Sequence, residues 1–132
     1  MELENSTKEQ IEKMIGDNEV FLFMKGNPDF PMCGFSSVAS AILKKTGVEF
    51  GHCNVLEDNN IREGIKTYSN WPTIPQLYIK KEFVGGCDIM KEMAESGELL
   101  ELLNTKGIKT EVNWKKGAFI LPLSLVIWNI II

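Results

Sequence analysis

The sequence predicts an α/β domain, a sheet with helices on both faces, and three observations carry that reading. Helical and strand-like patterns alternate along most of the chain, Val20–Met24 is an unbroken apolar run of strand length, and apolar stretches at 76–79 and 82–84 flank Lys80 and Lys81 as a hairpin. A strand apolar at every position suits burial from both sides, as parallel pairing requires. The 132 residues suffice for one domain with a core and are too few for two of ordinary size.

The elements follow in order. Ser6 or Thr7 can cap a first helix, with Glu9 in its first turn and Ile11, Met14 and Ile15 on one face until Gly16 stops it. The first strand ends at Lys25, Gly26, Asn27 and Pro28, and a loop through Pro31 and Met32 brings Cys33 to the start of a second helix. Val38, Ala39, Ile42 and Leu43 form that helix's apolar stripe, and Gly47 ends it. Residues 48–55 alternate well enough for a strand, and 58–68 read as a helix with Ile61 and Ile65 inward. Trp71, Pro72, Thr73, Ile74 and Pro75 break the pattern before the hairpin, which Gly85 and Gly86 close. Asp88 is placed to cap a last helical region that reaches about Leu103 with a break near Gly97. The order is α-β-α-β-α-β-β-α, with no internal repeat or low-complexity linker.

Beyond Gly107 the chain changes character, passing Lys115 and Lys116 into an apolar run from Ala118 to the end. A bilayer span needs roughly 20 apolar residues. This run is shorter and is interrupted by Pro122 and Asn129, so it is expected to be an extension rather than a membrane contact.

A formal net charge of −4, with no clustered lysines beyond pairs, argues against nucleic acid as a partner. Three widely separated cysteines, Cys33, Cys53 and Cys87, do not read as a secreted disulfide framework. The acidic, polar first residues resemble neither a secretory signal nor an arginine-rich transit peptide. The expected location is the cytoplasm, with an organelle matrix, after loss of a targeting segment not present in this chain, as the alternative.

The candidate chemistry centres on Cys33-Gly34-Phe35-Ser36. One thiol cannot close a disulfide with a serine, so the site borrows a second sulfur or a metal. A cysteine at a helix N-terminus feels the positive end of the macrodipole and free backbone N–H groups, which favour the thiolate. Lys25 lies at the same sheet edge and can add positive charge or hold a carboxylate; read alone, it is equally a solvated strand-end lysine. Pro75 directly before a strand suits either a rigid trans turn or a cis bond that would turn the Ile74 backbone toward the thiolate. Gly85 and Gly86 allow a ligand backbone to approach, and Asp88 can receive an ammonium. Cys87 reads as a bystander or a resolving thiol. Cys53, beside His52 in an apparent strand, points away from its neighbour and is structural.

Taken together, Lys25-Gly26, Pro31-Met32-Cys33-Gly34-Phe35-Ser36, Trp71-Pro72-Thr73-Ile74-Pro75-Gln76-Leu77 and Gly85-Gly86-Cys87-Asp88 resemble the monothiol glutaredoxins, the class named for its Cys-Gly-Phe-Ser motif. The resemblance covers about residues 5–107, which sets a domain at 1–107 and an extension at 108–132. It implies a thioredoxin-like fold, a central four-stranded mixed sheet flanked by helices on both faces, with Pro75 cis and glutathione bound extended. Lys25 and Arg62 would hold the glycyl carboxylate. Ile74 and Pro75 would receive the cysteinyl backbone, and Gly86, Cys87 and Asp88 the γ-glutamyl end. Cys33, with Lys25 beside it, would meet the glutathione sulfur or a metal. The class is similar in holding a [2Fe–2S] cluster between two protomers, each giving its motif cysteine and one glutathione, with iron–sulfur assembly or acceptor proteins as partners. Four thiolates suit such a centre. The alternative function is glutathione-dependent thiol–disulfide exchange with Cys33 as nucleophile.

Overall fold

The computed structural model describes residues 3–111, so the apolar run from Ala118 onward lies outside the described residues. The elements are α1 (Asn5–Gly16), β1 (Val20–Met24), β2 (Gly26–Asn27), β3 (Phe30–Pro31), α2 (Gly34–Thr46), β4 (Gly51–Asn54), a 3-10 turn (Val55–Glu57), α3 (Asn59–Ser69), β5 (Gln76–Ile79), β6 (Glu82–Gly85), α4 (Cys87–Ser96) and α5 (Glu98–Thr105). The main sheet has the order β4-β1-β5-β6. β1 runs parallel to β4, with Phe21 opposite Gly51, and antiparallel to β5, with Phe21 opposite Tyr78. This is the four-stranded mixed sheet that the resemblance to the monothiol glutaredoxins implies.

β1 is apolar throughout because its alternating side chains enter two different cores. Val20, Leu22 and Met24 pack with Ala39 and Leu43 of α2, Met90 of α4, and Leu99 and Leu103 of α5. Phe21 and Phe23 pack on the opposite face with Ile11 and Ile15 of α1, Ile61 and Ile65 of α3, and Tyr78. Five consecutive buried residues in one strand are therefore a consequence of two-sided cover. Ile108 is buried in the first core, and the Glu111 N–H bonds the Thr46 carbonyl at 2.8 Å. The packed body thus continues past Gly107, where the sequence reading drew its boundary.

Several local expectations shift. α1 begins at Asn5, which puts Ser6 and Thr7 inside its first turn; Thr7 is buried, its methyl against Gly64 of α3, and no side chain caps the helix. Asp58 does cap α3, its Oδ1 accepting from the N–H groups of Asn60 and Ile61 at 3.0 and 3.3 Å. Asp88 does not cap α4: Gly86 holds the cap position and Asp88 falls in the first turn, where its charge still suits the helix dipole. Only Gly51–Asn54 of the stretch 48–55 forms a strand, because β1 offers partners to those four residues alone. On α2 the inward stripe is Ser36, Ala39, Ser40, Leu43 and Thr46, which leaves Val38 exposed.

The hairpin between β5 and β6 turns at Lys80 and Lys81, both with positive φ (52° and 72°). Two residues at positive φ are what a two-residue hairpin turn of this hand needs, and lysine supplies them at a cost that glycine avoids. Replacing Lys81 with glycine is expected to stabilise the protein by about 0.5–1 kcal/mol. A thermal melt should show a midpoint higher by a few degrees; a lower midpoint contradicts the strain argument.

Candidate active site

Ser36 places the cysteine. It is fully buried, and its Oγ accepts a hydrogen bond from the Lys25 backbone N–H at 3.0 Å, which ties the end of β1 to the first turn of α2. Cys33 then occupies the N-cap position with extended backbone (φ −162°, ψ 142°). From there its sulfur meets the free N–H groups of the helix start. Burial pushes the thiol up, but the backbone N–H groups of Ser36 and Phe35, the Ser36 hydroxyl and the Lys25 charge outweigh it. The Cys33 thiol is therefore held below its ordinary value, which raises its thiolate fraction at neutral pH.

The loop between Lys25 and Cys33 is a built element. Gly26 has φ +87°, and a Cβ there would collide with the backbone of Phe30 and Met32, so only glycine fits. Its N–H donates to Asn54 Oδ1 at 2.8 Å, and the Met32 N–H returns to the Lys25 carbonyl at 2.9 Å. Asn27 Oδ1 accepts from the N–H groups of Asp29 and Phe30, both at 2.9 Å, turning the chain between β2 and β3.

A cleft of about 360 Å³ opens beside the sulfur, lined by Lys25, Phe35, Lys66, Pro72, Thr73, Ile74, Pro75 and Cys87. Its far wall enters β5 through a cis Ile74–Pro75 bond. Gln76 fixes that wall from behind: fully buried, it donates from Nε2 to the carbonyls of Trp71 and Thr73 at 3.1 and 3.2 Å. The Tyr78 hydroxyl in turn donates to Gln76 Oε1 at 3.4 Å. Gly86 backs the same wall, since a Cβ there would stand 3.2 Å from the Pro75 carbonyl and 3.3 Å from the Trp71 indole nitrogen.

Cys33, Lys25, Ile74, Pro75 and Cys87 thus share one cleft. Asp88 is exposed in the first turn of α4, one residue beyond Cys87. Arg62 is not among the lining residues. Lys66, one turn further along α3, takes that place, because α3 leads at its C-terminal end into the Trp71 to Pro75 wall. Arg62 is half-buried, and its Nε lacks a hydrogen-bond partner among the described residues. Lys66 was recoverable from its i+4 spacing to Arg62, and Gln76 from being the one polar residue of an apolar strand.

The other two thiols differ from Cys33. Burial, then the charges of Asp58 and Glu57, push Cys53 up to about 11. Burial, then Asp88, also raises Cys87, against a partial offset from Lys91. Among the described residues no three His, Cys, Asp or Glu side chains gather into a metal site.

A mixed sheet of this order, with a half-buried cysteine capping the helix after β1 and facing a cis-proline wall, defines a thioredoxin-fold thiol protein. The glutaredoxin family pattern matches residues 20–84. A probable monothiol glutaredoxin 2 of Rickettsia typhi is 52% identical over 109 residues, covering 81% of this chain and 98% of the relative. Monothiol glutaredoxin-S11 of Oryza sativa is 47% identical over 114 residues, which span 86% of this chain and 23% of that longer protein. The solution structure of reduced poplar apo GrxS14 superposes with a TM-score of 0.70 at 48% identity, covering 80% of this chain and 96% of the other. This chain belongs to the monothiol glutaredoxins.

The cleft generates two expectations. Alkylation followed by mass spectrometry should modify Cys33 first, with its rate rising at lower pH than for an ordinary thiol, while Cys87 and Cys53 lag and Cys53 reacts only in strongly alkaline solution; equal rates for all three contradict the site's electrostatics. Gln76→Leu leaves two carbonyls without their donor, and urea unfolding should show a loss of about 1–3 kcal/mol.

Proposed function

We propose that this chain binds glutathione in the Cys33 cleft, and that two copies, each giving Cys33 and one glutathione thiol, carry a [2Fe–2S] cluster to iron–sulfur acceptor or assembly proteins. The observation that carries this reading is an activated thiol whose fourth-position neighbour, Ser36, is a buried hydroxyl committed to Lys25. No second thiol stands there to close a disulfide, so Cys33 stays available to an external ligand.

The cleft suits a tripeptide with a central thiol, and its volume is within the range of small-molecule sites. Lys25 and Lys66 line it and would hold the glycyl carboxylate, Lys66 giving up its loose 3.5 Å pair with Glu63 to do so, with Arg62 a turn behind. The backbone at Ile74 offers strand-like pairing to the cysteinyl unit. Beyond Cys87, Asp88 offers its carboxylate to the γ-glutamyl ammonium. Gly86, buried against Pro75 and Trp71, lets the start of α4 sit close to that wall and so sets Cys87 and Asp88 at this end.

The donor set fits a shared cluster. A [2Fe–2S] centre takes four thiolates, and it supplies iron in a form that can pass between thiolate sites. Cys33 is the one activated thiol of the cleft, so three further sulfurs come from outside the chain. A second copy and two glutathiones supply them.

A second reading is favoured by the lowered Cys33 thiol at the open cleft. The Cys33 thiolate attacks the glutathione sulfur of a mixed disulfide, the S–S bond breaks, and the released thiolate takes a proton from water. A second glutathione thiolate then attacks the Cys33-bound glutathione sulfur, giving glutathione disulfide and restoring Cys33. Cys87, with its thiol raised, is a poor attacker at neutral pH.

Anaerobic reconstitution with iron, sulfide and glutathione separates the readings. The cluster reading expects a coloured dimer that Cys33→Ser abolishes and that omission of glutathione also prevents. A colourless monomer that turns over a small mixed disulfide briskly would overturn it in favour of exchange.

A further inference from the structure

The backbone around Lys25 is bonded from three directions. Its N–H donates to Ser36 Oγ of α2 at 3.0 Å, and its carbonyl accepts from the Met32 N–H of the cysteine loop at 2.9 Å. The other half of that second peptide unit is the Gly26 N–H, which donates to Asn54 Oδ1 at 2.8 Å. Ser36 and Met32 belong to the segment that carries Cys33 and move with it. Asn54 is different: it stands 28 positions from Gly26, at the end of β4, opposite Met24 in the register of β1 and β4.

These bonds pin the two peptide planes on either side of the Lys25 Cα, and two fixed planes set the direction in which the side chain leaves the backbone. Gly26 is buried, so without Asn54 its N–H would have no water to turn to. The left-handed backbone at Gly26 (φ +87°) therefore keeps one orientation relative to the sheet. The Asn54 oxygen is itself held, because it also accepts from the Leu56 N–H at 3.0 Å and so caps the 3-10 turn. One carbonyl oxygen with two lone pairs serves both donors. Asn54 lines the depression beside His52 and Cys53 and not the Cys33 cleft, so it does not touch a molecule held in that cleft.

We propose that Asn54 is a positioning residue for the Cys33 cleft: through the Gly26 N–H it ties Lys25 to β4 and holds its ammonium where the carboxylate of a bound ligand lies. The inference rests on the glutathione reading given under Proposed function, which assigns the glycyl carboxylate to Lys25. It adds to that reading a strand residue that acts on the ligand only through another side chain.

Titrating the full chain with reduced glutathione, and with its C-terminal amide, which lacks the carboxylate charge, tests the proposal. Asn54→Leu removes the acceptor at similar volume. It is expected to weaken glutathione about fivefold, part of the worth of a hydrogen bond to a charged group, and to leave the affinity for the amide unchanged. Asn54→Asp keeps an oxygen in the same place and should bind glutathione nearly as wild type does. Asn54→Ser retains a cap for the 3-10 turn but ends one bond short of Gly26, so it should behave as Asn54→Leu does. The serine variant carries the test should leucine lower the melting midpoint. Wild-type glutathione affinity in the leucine and serine variants, or equal weakening toward glutathione and its amide, overturns the positioning role. Weaker binding by Asn54→Asp than by Asn54→Leu overturns it too, because charge and not the hydrogen bond would then be what matters at this position. Lys25→Gln separates the two readings. If it weakens glutathione while the Asn54 variants do not, this inference alone falls; if it changes nothing, the assignment of the carboxylate to Lys25 falls and takes this inference with it.

Discussion

β1 is buried from both sides, and the placement of every reactive group follows from that constraint. A strand with no solvent face can only sit at the centre of the sheet, so its C-terminal end is a fixed point against which α2, the β2–β3 turn and the cis-proline wall are set. Ser36 Oγ closes the arrangement by taking the Lys25 N–H at that end. One neutral hydrogen bond contributes only about 1 kcal/mol net, but leaving the Lys25 N–H or the buried hydroxyl unpaired would cost more than making the bond gains. The bond is therefore better understood as a geometric constraint than as a source of stability.

The electrostatics of Cys33 are a contest between burial and donors. Removing a thiolate from water disfavours it, and burial is the largest single influence on this thiol. Several smaller favourable contributions, from two helix-start N–H groups, the Ser36 hydroxyl and Lys25, together reverse its sign. Cys53 and Cys87 face the same penalty with acidic neighbours in place of those donors, and both are raised. Three cysteines in one small fold thus divide into one reactive and two quiet groups by local surroundings alone. Cys87 also stands at a helix start, so the N–H groups, hydroxyl and Lys25 charge that reach the Cys33 sulfur, and not helix position or burial alone, make the difference.

Much of this was legible in the sequence where a pattern had one physical cause. The unbroken run Val20–Met24, the hairpin about Lys80 and Lys81, and the helix break at Gly97 each came through as read. Cys33, Lys25, Ile74, Pro75 and Cys87, grouped through the family resemblance, line one cleft, whereas Arg62, Gly86 and Asp88 of the same grouping do not. What escaped depended on tertiary rotation. Apolar periodicity put Val38 inside, yet α2 turns Ser36, Ser40 and Thr46 inward, with Ser36 Oγ accepting from the Lys25 N–H, and Val38 faces out. Arg62 and Lys66 lie on one face of α3, and only the path of the chain into Trp71 to Pro75 decides which of them reaches the cleft. Gln76 reads in the sequence only as part of a strand and a motif; its polarity in an apolar strand is a signal, but the Trp71 and Thr73 carbonyls it bonds are set by the turn before β5.

The proposed occupant of the space beside Cys33 is glutathione. Titrating isotopically labelled protein with reduced glutathione, and following backbone amide shifts, tests it most directly. Saturable changes are expected at Lys25, at Cys33 to Ser36, at Lys66, at Thr73 and Ile74, and at Gly86 to Asp88. Changes concentrated instead in the separate depression lined by His52, Cys53 and Asp58, or no saturable change at all, would contradict it.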